Sequence, residues 1–147
     1  MASEFKISRR VEFSETDMAG VVHFSNFFRY MEFAEHAFLR SLGLTVHTRN
    51  TDPVMGWPRV NVSCEYLRPL HFEEDVEIHL KVQKKSEKAV TYLCEFRKAG
   101  EPKLCARGTM TVVCCTIRAG KMQATFIPKE FADKLDVFPE ENIDAEK

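Results

Sequence analysis

The chain has 147 residues, enough to bury one substantial core and too few for two domains of ordinary size, so a single domain over 1–147 is expected. Its 21 Lys and Arg offset 22 Asp and Glu to a formal charge of −1, which excludes a global field drawing it onto nucleic acid or an anionic membrane; an anionic ligand has to be met by a local cluster. Five cysteines, with Cys114 and Cys115 adjacent, have neither disulfide-framework nor zinc spacing, and Met1 to Arg10 lacks the apolar stretch of a signal peptide, so the expectation is a soluble cytoplasmic protein with reduced thiols.

From Phe5 to Phe13 apolar Phe5, Ile7, Val11 and Phe13 alternate with polar Lys6, Ser8, Arg10 and Glu12, the period-2 pattern of a half-buried strand that only Arg9 interrupts. Glu15 to Gly20 reads as a loop, with Gly20 giving the backbone freedom before the next element. From Val22 to Leu42 the period lengthens: Phe24, Phe27, Phe28, Met31, Ala34, Phe38 and Leu42 fall on one helical stripe, and Gly43 ends it. Tyr30, Phe33 and Ala37 lie off the stripe, which suits a helix wrapped by a curved sheet.

Thr45 to Pro58 reads as irregular, broken by Asp52-Pro53 and Trp57-Pro58. Four alternating strands follow without a helix between them, carried by Val60 to Tyr66, Val76 to Val82, Val90 to Phe96 and Leu104 to Cys114, and separated by turn signals at hairpin spacing. Gly108, in the middle of the last strand, marks a bend or a close backbone approach. Pro128 to Leu135 fits a short helix, and Asp136 to Lys147 a charged tail. Strand, long helix, then antiparallel meander predicts an α+β fold with one helix against one sheet.

Asp17 is the residue in this frame that suggests chemistry. An Asp before a helix is often a cap or a turn former, but about five residues and a glycine separate Asp17 from the first expected helical turn, too far for ordinary capping. The alternative is a nucleophile or general base beside the unpaired amides at the helix start, near His23 and Phe24, which would polarise an acyl carbonyl without a cation.

The segment from Ser14 to Glu32, SETDMAGVVHFSNFFRYME, resembles the signature of hotdog-fold thioesterases of the 4-hydroxybenzoyl-CoA thioesterase and YbgC-like type. The match is dense over about twenty residues, and the strand order extends it over almost the whole chain. The resemblance implies a hotdog fold, with a long central helix wrapped by a curved, mainly antiparallel five-stranded sheet. It also implies Asp17 as the catalytic carboxylate and the Phe24 N–H as the donor to the thioester carbonyl, with Gly20 and Asn26 at fixed loop and helix-start positions. Many relatives carry Tyr-His where this chain has His23-Phe24, so the family histidine at position 24 is absent; His23 either compensates or lines the pocket. The family builds its sites between paired subunits, which implies a homo-oligomer, a dimer or a tetramer.

Glu35, in the middle of the apolar stripe, is either a second acid or a structural partner to an arginine or a subunit seam. His23, His36, His47, His71 and His79 show no metal-ligand spacing and no metal is expected; Cys64, Cys94 and Cys114 share the apolar parity of their strands and read as core. For the phosphates of coenzyme A the candidates are Lys84, Lys85, Lys88 and Arg118, joined by Arg59 and Arg68. The function expected is acyl-CoA thioester hydrolysis without a cofactor, coenzyme A being part of the substrate. The alternatives are a hotdog hydratase or dehydratase and a non-catalytic acyl-CoA or acyl-carrier binding module. Phe24, Phe27, Phe28, Trp57 and Tyr66 suit an aromatic or a fatty acyl group equally well.

Overall fold

The alternation that begins at Phe5 makes a strand, β1 (Glu4–Arg10), whose Phe5, Ile7 and Arg9 turn inward while its polar residues face out. In the computed structural model, which describes residues 2–46, 48 and 50–139, this strand stops before Phe13. Phe13–Glu15 instead form a 3-10 turn, and Phe13 is 76% exposed. Glu12 and Glu15 close a capping box there, a local hydrogen-bonded alternative to the ladder that apolar parity alone does not register.

The long helix α1 (Asn26–Ser41) starts four residues later than the apolar stripe suggested. Val22 and His23 belong instead to the returning arm of a hairpin: Val22 bridges Thr16 and donates its N–H to Leu70 O (2.8 Å), and His23 N–H donates to Glu15 O (2.9 Å). Gly43, at φ +75°, closes the other end as expected.

Five strands wrap α1. With β3 (Arg59–Tyr66), β4 (Asp75–Lys85), β5 (Ala89–Lys98) and β6 (Leu104–Val113), β1 forms one antiparallel sheet in the order β1-β4-β5-β6-β3. Val76, Ile78, Leu80 and Val82 from β4 and Tyr92, Cys94 and Phe96 from β5 face Tyr30, Met31, Ala34 and Phe38 of the helix in one core. This is the α+β architecture and five-stranded sheet expected.

A second sheet of three strands was not legible as such. It joins β2 (Val54–Gly56), inside the stretch Thr45 to Pro58 that reads as irregular, to β7 (Cys115–Arg118) and β8 (Lys121–Ala124). Ala119 and Gly120, both at positive φ, turn β7 into β8. The short helix α2 (Lys129–Ala132) follows Pro128. The start of the supposed tail is docked: Phe138 is buried and its N–H donates to Val82 O (2.8 Å).

Candidate active site

Asp17 opens a tight hairpin turn. Gly20 N–H donates to Asp17 O (3.0 Å) and Asp17 N–H to Val21 O (2.8 Å), with Gly20 at φ +79°; this is a type I turn closed by a left-handed residue, the conformation that calls for glycine. One carboxylate oxygen, Asp17 Oδ1, accepts the Ala19 N–H (2.8 Å). Asp17 is thus a turn former after all, and the same bond orients its side chain while Oδ2 has no partner among the described residues.

The hairpin is held against its surroundings by Val21, which bridges to His71, and by the Val22 bond to Leu70. Between this loop and the end of β3 lies a cavity of about 350 Å³ walled by Asp17, Phe24, Phe27, Tyr66, Arg68 and Leu70. Phe27 sits edge-on to Tyr66 (5.4 Å) and to Phe96 (5.2 Å), so the floor is aromatic.

Phe24 is not a helical residue: Ser25 is the N-cap, and Phe24 precedes it. Its N–H is therefore a loop amide and not one of the orphan donors of the first helical turn, and no group among the described residues accepts it. Tyr66 Oη donates to Phe24 O (3.0 Å), and the Phe24 ring is 61% exposed beside His23.

His23 does not wall the cavity. Its Nδ1 accepts the Ser25 N–H (3.3 Å) and lies 2.7 Å from Ser25 Oγ, a capping role at the helix start. Asn26 Nδ2 donates to Glu15 O (2.8 Å), tying the first residue of α1 to the loop before Asp17. Of the expected aromatic lining, Phe24, Phe27 and Tyr66 are in place. Phe28 borders a different cavity with Arg59, and Trp57 packs on Phe131 (5.1 Å).

The basic candidates Arg59, Lys84, Lys85 and Lys88 do not wall this cavity. Lys85 Nζ instead donates to Ala132 O (2.9 Å) and Leu135 O (2.6 Å), Lys88 lies over the Phe126 ring (5.2 Å), and Arg59 pairs with Glu35 (2.5 Å). Arg68 is the cation at the cavity wall, with Nη1 donating to Leu104 O (2.6 Å).

Glu35 is the structural partner of an arginine, one of the two roles its position allowed. Burial pushes its carboxyl up to about 7, against the opposing pull of Arg59. Cys94 and Cys114 are buried core thiols, and Cys64 packs partly buried against the same core. His47 lies outside the described residues, and among those residues no three His, Cys, Asp or Glu side chains are grouped to hold a metal.

Sequence reasoning passed over Glu15, Arg9 and Tyr30. Their signal was present, since Arg9 broke the alternation of β1 and Tyr30 lay off the helical stripe, two irregularities that the structure joins through Glu15.

A family model of the thioesterase-like superfamily matches residues 11–135. A putative esterase of Aquifex aeolicus (strain VF5) is 34% identical over 131 residues, covering 89% of this chain and 97% of its own. A 1,4-dihydroxy-2-naphthoyl-CoA hydrolase of Prochlorococcus marinus (strain NATL1A) is 31% identical, covering 65% of this chain and 68% of its own. Among solved structures, a gentisyl-coenzyme A thioesterase superposes with a TM-score of 0.76 at 28% identity, covering 87% of this chain and 99% of that one.

Proposed function

This chain belongs to the thioesterase-like superfamily and is an acyl-CoA thioesterase, and from that premise we propose that Asp17 and the Phe24 amide carry the hydrolysis between them. The observation that supports this is one cavity walled by both: a carboxylate with one oxygen unengaged, and a residue whose N–H has no acceptor. An acyl carbonyl seated there has its oxygen on the Phe24 N–H, which stabilises the negative charge that develops as the carbon becomes tetrahedral. Asp17 either attacks that carbon, to give an anhydride that water then opens, or takes a proton from the attacking water. In both routes the C–S bond breaks, coenzyme A leaves as the thiol, and the acid is released. No cofactor enters.

The acyl group is aromatic in this reading. The floor is edge-on aromatic, 350 Å³ falls at the small end of ligand pockets, and two of the relatives are named for aromatic acyl-CoA substrates. Arg68 is the cation we assign to the anionic side of the substrate, and Gly20 and Asn26 keep the loop and helix start in place. The working unit is an oligomer, since Asp17 and Phe24 are exposed in the single chain and β3 carries exposed Val60, Val62 and Tyr66 along an edge. A cytoplasmic site of action suits five unpaired cysteines.

Thiol release from benzoyl-, short-chain and long-chain acyl-CoA tests the reading. Benzoyl-CoA should be cleaved with the highest kcat/KM, and Asp17→Asn should lower kcat on it by at least roughly a hundredfold. Activity within about threefold of wild type would remove Asp17 from the chemistry. Water addition to an enoyl-CoA, or binding without turnover, would replace hydrolysis with the hydratase or the binding module.

A further inference from the structure

Asp17 and the Phe24 amide are supplied by different strands of one loop, and each is exposed, so something has to set the distance between them. Beyond the ladder contacts of the hairpin itself, Asp17 N–H to Val21 O and the Thr16–Val22 bridge, Glu15 joins the two sides and ties both to the elements around them. It lies two positions before Asp17, at the end of the 3-10 turn, and its main-chain carbonyl accepts both the His23 N–H (2.9 Å) and Asn26 Nδ2 (2.8 Å). The first of these bonds fixes the residue next to Phe24. The second fixes the first residue of α1.

The side chain is anchored as firmly. Oε1 accepts the Glu12 N–H (2.8 Å) and Tyr30 Oη–H (3.0 Å), and Oε2 accepts from Arg9 Nη2 (2.5 Å). Arg9 in turn lies over the Tyr30 ring (4.9 Å) and the Phe33 ring (5.0 Å). Burial and the neighbouring Glu15 charge push the Tyr30 phenol well above its ordinary value, which keeps it a donor to this carboxylate. The Glu15 side chain is 14% exposed, so these charge-assisted bonds are poorly screened. Asp17 and Phe24 both hang from this point on tethers of two residues or fewer.

We propose that Glu15 is the positioning residue of the site, holding Asp17 and the Phe24 N–H at a working separation by clamping their shared loop to β1 through Arg9 and to α1 through Tyr30 and Asn26. The proposal rests on the Asp17 and Phe24 assignment above. Glu15 does not wall the cavity and acts only through those two groups. Its loss therefore leaves the floor that binds the acyl group intact and misplaces the reacting pair.

The test compares wild type, Glu15→Gln, Asp17→Asn and the double variant on the best acyl-CoA substrate, with melting temperatures measured alongside. Glu15→Gln should lower kcat by about tenfold or more with KM within about twofold, because a misplacement of the reacting groups costs rate more than binding. In the Asp17→Asn background the same change should cost less than about twofold, the non-additivity expected of residues acting through one another. Phe38→Leu, a core change at the far end of α1, controls for stability: matched in melting temperature, it should keep wild-type kcat. Glu15→Gln with unchanged kcat, or a loss of equal size in both backgrounds, would overturn the proposal while Asp17 still failed as Asn. An active Asp17→Asn variant would bring down the site assignment itself, and Glu15 with it.

Discussion

Glu35 shows how far a single side chain can depart from the rule that charges stay in water. It is 1% exposed on the inner face of α1, and it is tolerated because Arg59 reaches it from β3, its Nη2 shared with Glu32 (3.4 Å). Desolvation still outweighs the pair, and the carboxyl rises from 4.5 to about 7. A folded-state value above the unfolded one means that the native protein holds the proton more tightly across that interval. The contribution to stability is therefore full below about pH 4.5 and is lost as the pH climbs through 7. In Glu35→Gln this loss is absent. Urea unfolding at pH 5 and pH 8 should show wild type losing up to about 3 kcal/mol relative to the variant over that range. Parallel curves for the two proteins would mean that Arg59 compensates the burial fully. An arginine partner for this carboxylate was legible in sequence but its identity was not, since an apolar stripe shows where a charge is costly without showing the residue 24 positions away that meets it.

At the scale of elements, strands and helix were largely legible and their ends were not. Alternation is a property of faces, so it found β3 to β6 and the inner side of β1; it could not find where a backbone amide turns to a loop carbonyl. The apolar stripe therefore runs back to Val22 and the alternation on to Phe13, each past the end of the element it marks. The three-stranded sheet was hidden for a related reason: β2, β7 and β8 have three or four residues each, too short to display a period. Gly108 is the case where local reading held. It pairs with Cys64 on one side and Cys94 on the other, and a Cβ there would come within 2.6 Å of Met31 Cε and 3.0 Å of Ser63 O. The glycine lets α1 close onto the sheet. Met31 can swing its terminus aside for one methyl, whereas the Ser63 carbonyl cannot move without breaking the ladder. Gly108→Val should thus lower the urea midpoint by an amount equivalent to about 1–3 kcal/mol, and Gly108→Ala by less. An unchanged midpoint for the valine variant would show that the helix is not seated by this contact.

For the molecule as a whole, the two border strands of the sheet differ in the side chains they expose. β1 closes one border with its apolar residues turned in and its polar ones out, but β3, at the opposite border, exposes Val60 (59%), Val62 and Tyr66 and pairs only with β6 among the described residues. An edge of unpaired backbone groups with apolar side chains is what a monomer normally blocks with charge, and this one is left open. The same border runs into the cavity, because Tyr66 holds the Phe24 carbonyl and Arg68 follows two residues later. Covering β3 would therefore also bury the site, joining assembly to catalysis. Val62→Lys places a charge in the middle of the edge, at a residue that does not wall the Asp17 cavity. Sedimentation should show wild type as a dimer or larger and the lysine variant shifted toward the 17.0 kDa chain, with thiol release falling in step and partly recovering as protein concentration is raised. A wild-type protein that sediments as a single chain at full activity would mean that the open edge serves something other than self-association, and that one chain's cavity suffices for turnover.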